Sequence, residues 1–227
     1  MSLEKLNVEL AKEVKALEAE GRAKAPERVI VGYEPPAGNR GPRYRLRGSD
    51  ALFIRMNSNS YLSLSHHPKL MEAADEAAHE FGVGPGAVRF IDGTFLHHAS
   101  LERRIAEFVG RPAAKIFNSA YTANLGQALA IGSPGTFWIG DELNHNSIIR
   151  AMRISGVAKE SRTIYKHNDM DGLSRCLDEV PGGTARVVVI FDGIFSMRGD
   201  FAPLDEINRR LEPHRGRFPE GLVPVLD

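Results

Sequence analysis

Three stretches of this sequence place chemistry-bearing side chains where an apolar run turns into a helix. The first, residues 141–149 (DELNHNSII), follows the apolar run 136–140 and opens a predicted helix, Asn146–Ile154. An acid, a polar turn and the imidazole of His145 placed there would face the carboxyl edge of a sheet, where open α/β sheets bind ligands. The same residues also fit simple capping of the helix by Asn144 or Asn146. The second stretch is Asn118-Ser119-Ala120-Tyr121-Thr122. Free backbone N–H groups and hydroxyls at a helix start can hold a phosphate; alternatively, Ser119 or Thr122 is an ordinary N-cap. The third is the long polar loop 192–200 (DGIFSMRGD), with Ser196 at its centre. Asp227, directly after the apolar run 222–226, offers a carboxylate to a cationic ring nitrogen or to a helix terminus.

The elements that must position these residues alternate regularly. Short strands are predicted over 114–118, 136–140, 163–165, 186–191 and 222–226, with helices over 122–131, 146–154, 169–180 and 204–211 between them. Continuous apolar strands alternating with helices indicate a parallel sheet covered on both faces, hence a doubly wound α/β domain. Upstream, Leu6, Leu10, Val14 and Leu17 line one face of a predicted helix over 3–19, expected to pack on another domain or a partner subunit. Residues 25–48 read as a loop-rich connection with a short strand at 28–31, and 44–56 as a hairpin about Gly48-Ser49-Asp50. Helices are predicted over 68–81 and 98–109. The Gly84-Pro85-Gly86 turn between them either approaches a ligand closely or is a plain loop. The domain reading is an N-terminal arm over 1–60 and an α/β domain over 61–227.

Composition narrows the function classes. Lys plus Arg and Asp plus Glu number 29 each, so no net charge favours nucleic acid or a membrane surface. One cysteine, Cys176, excludes an internal disulfide and suits a reducing cytoplasm. No apolar run approaches the roughly 18 residues of a membrane span. His66-His67 and His97-His98 are adjacent pairs, which do not converge on one ion, so no metal site is expected.

Taken in order, NSYLSLSHHP, GPGAVRFIDGTFLHHASLE, FNSAYTANLG, DELNHNSIIRAM, IYKHNDM and FDGIFSMRGDFAPL resemble the α-oxoamine synthases. These are acyl-CoA-dependent, pyridoxal-phosphate (PLP) enzymes of the aspartate-aminotransferase fold, type I. VRFIDGT, YKHNDM and DGIFSMRGD look most like glycine C-acetyltransferases. The resemblance implies that Ser119, Ala120 and Tyr121 hold the PLP phosphate and that His145 stacks on the pyridine ring. It implies that Ser196 lies near the phenolic oxygen and that Asp227 pairs with the ring nitrogen. It puts Asn59 and His98 on the substrate side. Amino acid and acyl-CoA would be the substrates, and a homodimer the assembly. The family's Tyr-Leu-Gly reads Tyr61-Leu62-Ser63 here.

In the family, a histidine follows the residue matched to Asp227 within three positions, and the Schiff-base lysine comes some thirty later. None of this chain's eight lysines (Lys5, Lys12, Lys15, Lys24, Lys69, Lys115, Lys159, Lys166) matches it. The resemblance therefore implies the N-terminal part of an acyltransferase, inactive by itself. The alternative is a non-catalytic partner subunit of a lysine-bearing homologue, and a generic nucleotide-binding α/β protein is a third reading.

Overall fold

The computed structural model describes residues 3–227, and the chain falls into two units, Met1–Gly84 and Pro85–Asp227. The first holds helix α1 (Glu4–Ala19), an antiparallel sheet of β1 (Ile30–Glu34), β2 (Arg43–Leu46) and β3 (Leu52–Phe53), and helix α2 (Pro68–Phe81). Gly48, at a φ of +77°, permits the tight turn from β2 to β3. The apolar stripe on α1 remains exposed, and no residue of that helix is buried. Helix α2, read from sequence with the α/β domain, groups by its contacts with this first unit. Leu62 and Ser63 both adopt left-handed backbone (φ +56°), so Ser63 holds without strain relief the conformation that the family's glycine reaches freely.

The second unit opens with α3 (Leu96–Phe108) and α4 (Ala120–Ile131). Strand β4 (Thr136–Asp141), helix α5 (Asn146–Ile154), β5 (Arg162–Tyr165), α6 (Met170–Asp178), β6 (Arg186–Phe191), α7 (Leu204–Leu211) and β7 (Leu222–Leu226) then alternate. The four strands form one parallel sheet in the order β5-β4-β6-β7. Successive side chains point to opposite faces, and each face finds its own helices. Phe137, Ile139, Val187 and Val189 join Leu173, Leu177, Ile207 and Leu211 in one core, under α6 and α7. Trp138, Val188 and Ile190 join Ala128, Ile148 and Met152 in the other, under α4 and α5. Helices on both faces of one parallel sheet make this unit a three-layer, doubly wound α/β domain, as the strand–helix alternation indicates.

One expected strand does not form. Residues 114–118 pair with no strand, and the Ile116 N–H goes to the Glu102 carboxylate at 3.1 Å instead. Glu102 also receives Arg89 at 2.6 and 3.2 Å and Lys115 at 3.3 Å, which tie the glycine-containing turn before α3 to the approach to α4. Arg89, foremost among these donors, holds the Glu102 carboxyl down at about 2. Within that turn Gly93 packs so closely on Ala87 that a Cβ would lie 2.1 Å from the Ala87 carbonyl oxygen. Among the described residues, no helix is long and apolar enough to cross a membrane.

Candidate cofactor site

Strands β4 and β6 lie side by side, yet the chain visits edge strand β5 between them. Their carboxyl ends therefore splay connections to opposite sides and leave a crevice, the usual ligand position in such sheets. Asn144 braces this point. It is 5% exposed, donates from Nδ2 to the Ile190 carbonyl at 2.9 Å, and accepts the Asp192 N–H at 3.2 Å. The helix cap expected from Asn144 or Asn146 is supplied instead by His145, whose Nδ1 accepts from the Ser147 N–H at 3.3 Å. Asn144 is unavailable because both ends of its amide are bound to the end of β6.

Around His145 the crevice is polar and connected. The His145 N–H donates to Asp192 Oδ2 at 2.6 Å, and its Nδ1 lies 2.7 Å from Ser147 Oγ. The ring of Tyr121 meets the imidazole edge-on, with centroids 6.3 Å apart, and the Tyr121 hydroxyl donates to Asn146 Oδ1 at 3.3 Å. Asp227 extends β7 by one backbone bond to the Phe191 carbonyl at 3.0 Å, which brings its carboxylate to the same crevice. There Asn124, 5% exposed on α4, donates from Nδ2 to Asp227 Oδ2 at 2.9 Å and to Ser147 Oγ at 2.9 Å. Burial raises the Asp192 carboxyl to about 6; the nearby Asp227 carboxylate adds to the rise and the His145 N–H opposes it.

Ser119 caps α4 by accepting the Thr122 N–H at 3.1 Å. Ser119 capping thus accounts for one amide, while the N–H groups of Ala120 and Tyr121 are left without intrahelical acceptors, as at any helix start. Ser196 and His98 make no hydrogen bond to this network among the described residues. Ser196 is exposed in the loop after β6 and makes no side-chain hydrogen bond among the described residues. His98 accepts the Phe95 N–H at 3.0 Å through Nδ1, a cap for α3. Asn59 is exposed in the first unit. Cys176 is half-buried beside the α6 core, where burial pushes its thiol up, away from nucleophilic use.

Sequence reading missed three residues of this network: Asn124, Ser147 and Asp192. Asn124 and Ser147 sit mid-helix or first-turn, where a polar residue usually faces water; only a heptad-independent polar position on an otherwise buried face could have marked them. A second missed cluster is His167, between Asp141 (Nδ1 to Oδ1, 3.0 Å) and Asp200 (Nε2 to Oδ2, 3.0 Å), with Phe195 edge-on at 4.4 Å. Burial depresses the His167 imidazolium, but the hydrogen bonds it donates to Asp200 and Asp141 outweigh it and leave its pKa raised. The three loops after β4, β5 and β6 are joined there. Among the described residues, no three His, Cys, Asp or Glu side chains are grouped to hold a metal ion.

An acid (Asp227), an imidazole (His145) and the start of α4 thus meet at the carboxyl edge of one parallel α/β sheet. The chain belongs to the aminotransferase class I and II family, whose model matches residues 52–212. Its similarities run to the α-oxoamine synthases within that family. It is 44% identical over 187 residues to an 8-amino-7-oxononanoate synthase of Thermoanaerobacter pseudethanolicus, covering 82% of this chain and 45% of that protein. It is 42% identical over 174 residues to 8-amino-7-oxononanoate synthase 1 of Bacillus velezensis, covering 77% and 43%. Among solved structures, a lysine-to-alanine variant of the serine palmitoyltransferase of S. paucimobilis with a bound PLP–myriocin aldimine superposes at a TM-score of 0.80 and 26% identity, over all of this chain and 52% of that one. The chain spans about half the length of the relatives it matches.

Proposed function

We propose that this chain is the N-terminal half of a PLP-dependent C-acyltransferase that joins an amino acid to the acyl group of an acyl-CoA and releases a 2-amino-3-keto product. One observation carries this reading beyond family membership. His145 and Asp227 lie far apart in sequence yet are linked through the same Asn124 amide and the Ser147 hydroxyl, at the carboxyl edge of the sheet. The donor set fits PLP group by group. Asp227, with Oδ2 held by Asn124, presents a carboxylate to a protonated ring nitrogen, and His145 offers an aromatic face to the ring. The Ala120 and Tyr121 N–H groups, at the positive end of α4 and beside Ser119, suit a phosphate dianion. PLP, when bound, supplies a cationic ring that withdraws electrons from the Cα of the amino acid. Asp227 would keep that ring cationic, and His145 would shield its face from water. Ser196 is assigned to the phenolic-oxygen side, and His98 to the substrate side.

Glycine as the amino-acid substrate is supported by VRFIDGT, YKHNDM and DGIFSMRGD. The names of the 44%- and 42%-identical relatives support a second reading for the acyl partner, that of an 8-amino-7-oxononanoate synthase. The complete protein is read as a homodimeric cytoplasmic enzyme.

Two measurements test this. Titrating the chain with PLP should show reversible binding that Asp227→Ala and His145→Ala weaken, and borohydride should fix no cofactor to any lysine; a fixed lysine adduct would overturn the reading that none of the eight lysines anchors the cofactor. Reading the gene beyond the codon for Asp227 should show an in-frame histidine within three residues and a lysine some thirty later. A stop codon there, with a lysine-bearing homologue encoded nearby, would favour the non-catalytic partner subunit.

A further inference from the structure

The hydrogen bonds between Asp227 and His145 can be assigned donor by donor. An amide nitrogen only donates, so Asn124 Nδ2 spends its two protons on Asp227 Oδ2 and Ser147 Oγ, each at 2.9 Å. The amide cannot be turned round, since its carbonyl would then face a carboxylate. Ser147 Oγ, 1% exposed as a residue and already accepting from Asn124, has a single proton left, and its other neighbour is His145 Nδ1 at 2.7 Å. The backbone N–H of Ser147 points at that same nitrogen from 3.3 Å. Two donors converge on Nδ1, which must therefore carry a lone pair.

We infer that the Asp227–Asn124–Ser147 relay holds His145 as the neutral tautomer protonated on Nε2, and that Asn124 and Ser147 are positioning residues of the cofactor site. The orientation starts at the carboxylate: Asp227 sets the Asn124 amide, the amide sets the Ser147 hydroxyl, and the hydroxyl sets the imidazole. The acid that would pair with a bound pyridine nitrogen thereby also fixes which nitrogen of the stacked imidazole is the acceptor, so one carboxylate orients both rings. That consequence rests on the cofactor reading given above; the tautomer itself does not. Tyr121, edge-on to the ring, and Asp192, accepting the His145 backbone N–H, are the other groups facing His145, and neither contacts its ring nitrogens.

The test is nitrogen NMR on the full 227-residue chain labelled with ¹⁵N-histidine, first without and then with PLP. Measurements are made at a pH well above the ordinary imidazole value, and the His145 signals are assigned by their loss in His145→Gln. Nδ1 should resonate as an unprotonated nitrogen and Nε2 as a protonated one. Ser147→Ala should shift Nδ1 toward a nitrogen with no hydroxyl donor and raise the Nδ1–H share about fivefold, the worth of one net hydrogen bond. Ser147→Thr, which keeps the hydroxyl, should restore the original pattern. Asn124→Leu should move the signals in the direction of Ser147→Ala; if that buried change prevents folding, the Ala and Thr pair at 147 carries the test. A protonated Nδ1 in the unaltered chain, or an unchanged pattern in folded Ser147→Ala, would overturn the relay. A chain with the expected pattern that binds no PLP would sink the proposed function and leave the relay standing.

Discussion

Asp192 is 6% exposed at the end of β6, and its carboxyl is pushed from an ordinary 3.8 to about 6, chiefly by burial and then by Asp227. An acid whose folded pKa is raised binds its proton more tightly in the folded chain than in the unfolded one. Between about pH 4 and about pH 6 the folded state therefore holds more protons, and stability falls as pH rises through that window. At about 1.4 kcal/mol per pH unit the full displacement corresponds to roughly 3 kcal/mol. Solvent at the crevice mouth screens part of this, which leaves roughly 1–2 kcal/mol. Asp192→Asn removes the titration while keeping an oxygen to accept the His145 N–H. Urea unfolding of both chains, followed by the fluorescence of the single, fully buried Trp138, reports on this unit. The stability of Asp192→Asn relative to the parent should rise by roughly 1–2 kcal/mol between about pH 4 and about pH 7. Other titrating groups cancel in that difference. A difference that is flat across the range, or that falls, would refute the assignment of a buried, proton-holding Asp192.

His167 should behave in the opposite sense to a depressed acid: its raised pKa contributes stability that is full below the unfolded value and fades as pH climbs through the higher folded one. Unfolding of His167→Gln against the parent should show a deficit at about pH 6 that narrows toward about pH 9, and a constant deficit would refute the charged clamp. Ser63→Gly should stabilise the first unit by roughly 0.5–1 kcal/mol, because glycine occupies its left-handed backbone without the strain of a side chain; thermal unfolding followed by far-ultraviolet circular dichroism checks this. Leu173→Ala, at a fully buried site of the α6 core, should lower the midpoint of the Trp138 transition by the equivalent of roughly 2–5 kcal/mol. Leu226 is exposed on β7, a strand that pairs only with β6 among the described residues, so the chain at high concentration should self-associate. Sedimentation showing a monomer throughout would contradict that.

Much of this protein is decided by local sequence. Helix α5, helix α7 and strands β6 and β7 begin and end where periodicity and caps indicate, because each is a short apolar-patterned run bounded by polar turns. The candidate loops were legible for the same reason: in an α/β alternation every strand-to-helix turn lies at one edge. Tertiary structure decided what local pattern cannot carry. Residues 114–118 have the composition of a strand, but Glu102, brought from α3, takes the Ile116 N–H that a ladder would need. Asn144 looks like a cap, but the adjacency of β4 and β6 turns its amide into a brace and passes the cap to His145. Asp141 and Asp200 find His167 only because three loops meet at one sheet edge. Asn124 and Asp227, over a hundred positions apart, become partners only once α4 packs across the sheet. Hydrogen-bond donors and acceptors are satisfied by whatever the fold brings within 3 Å, and no spacing along the chain encodes which that will be.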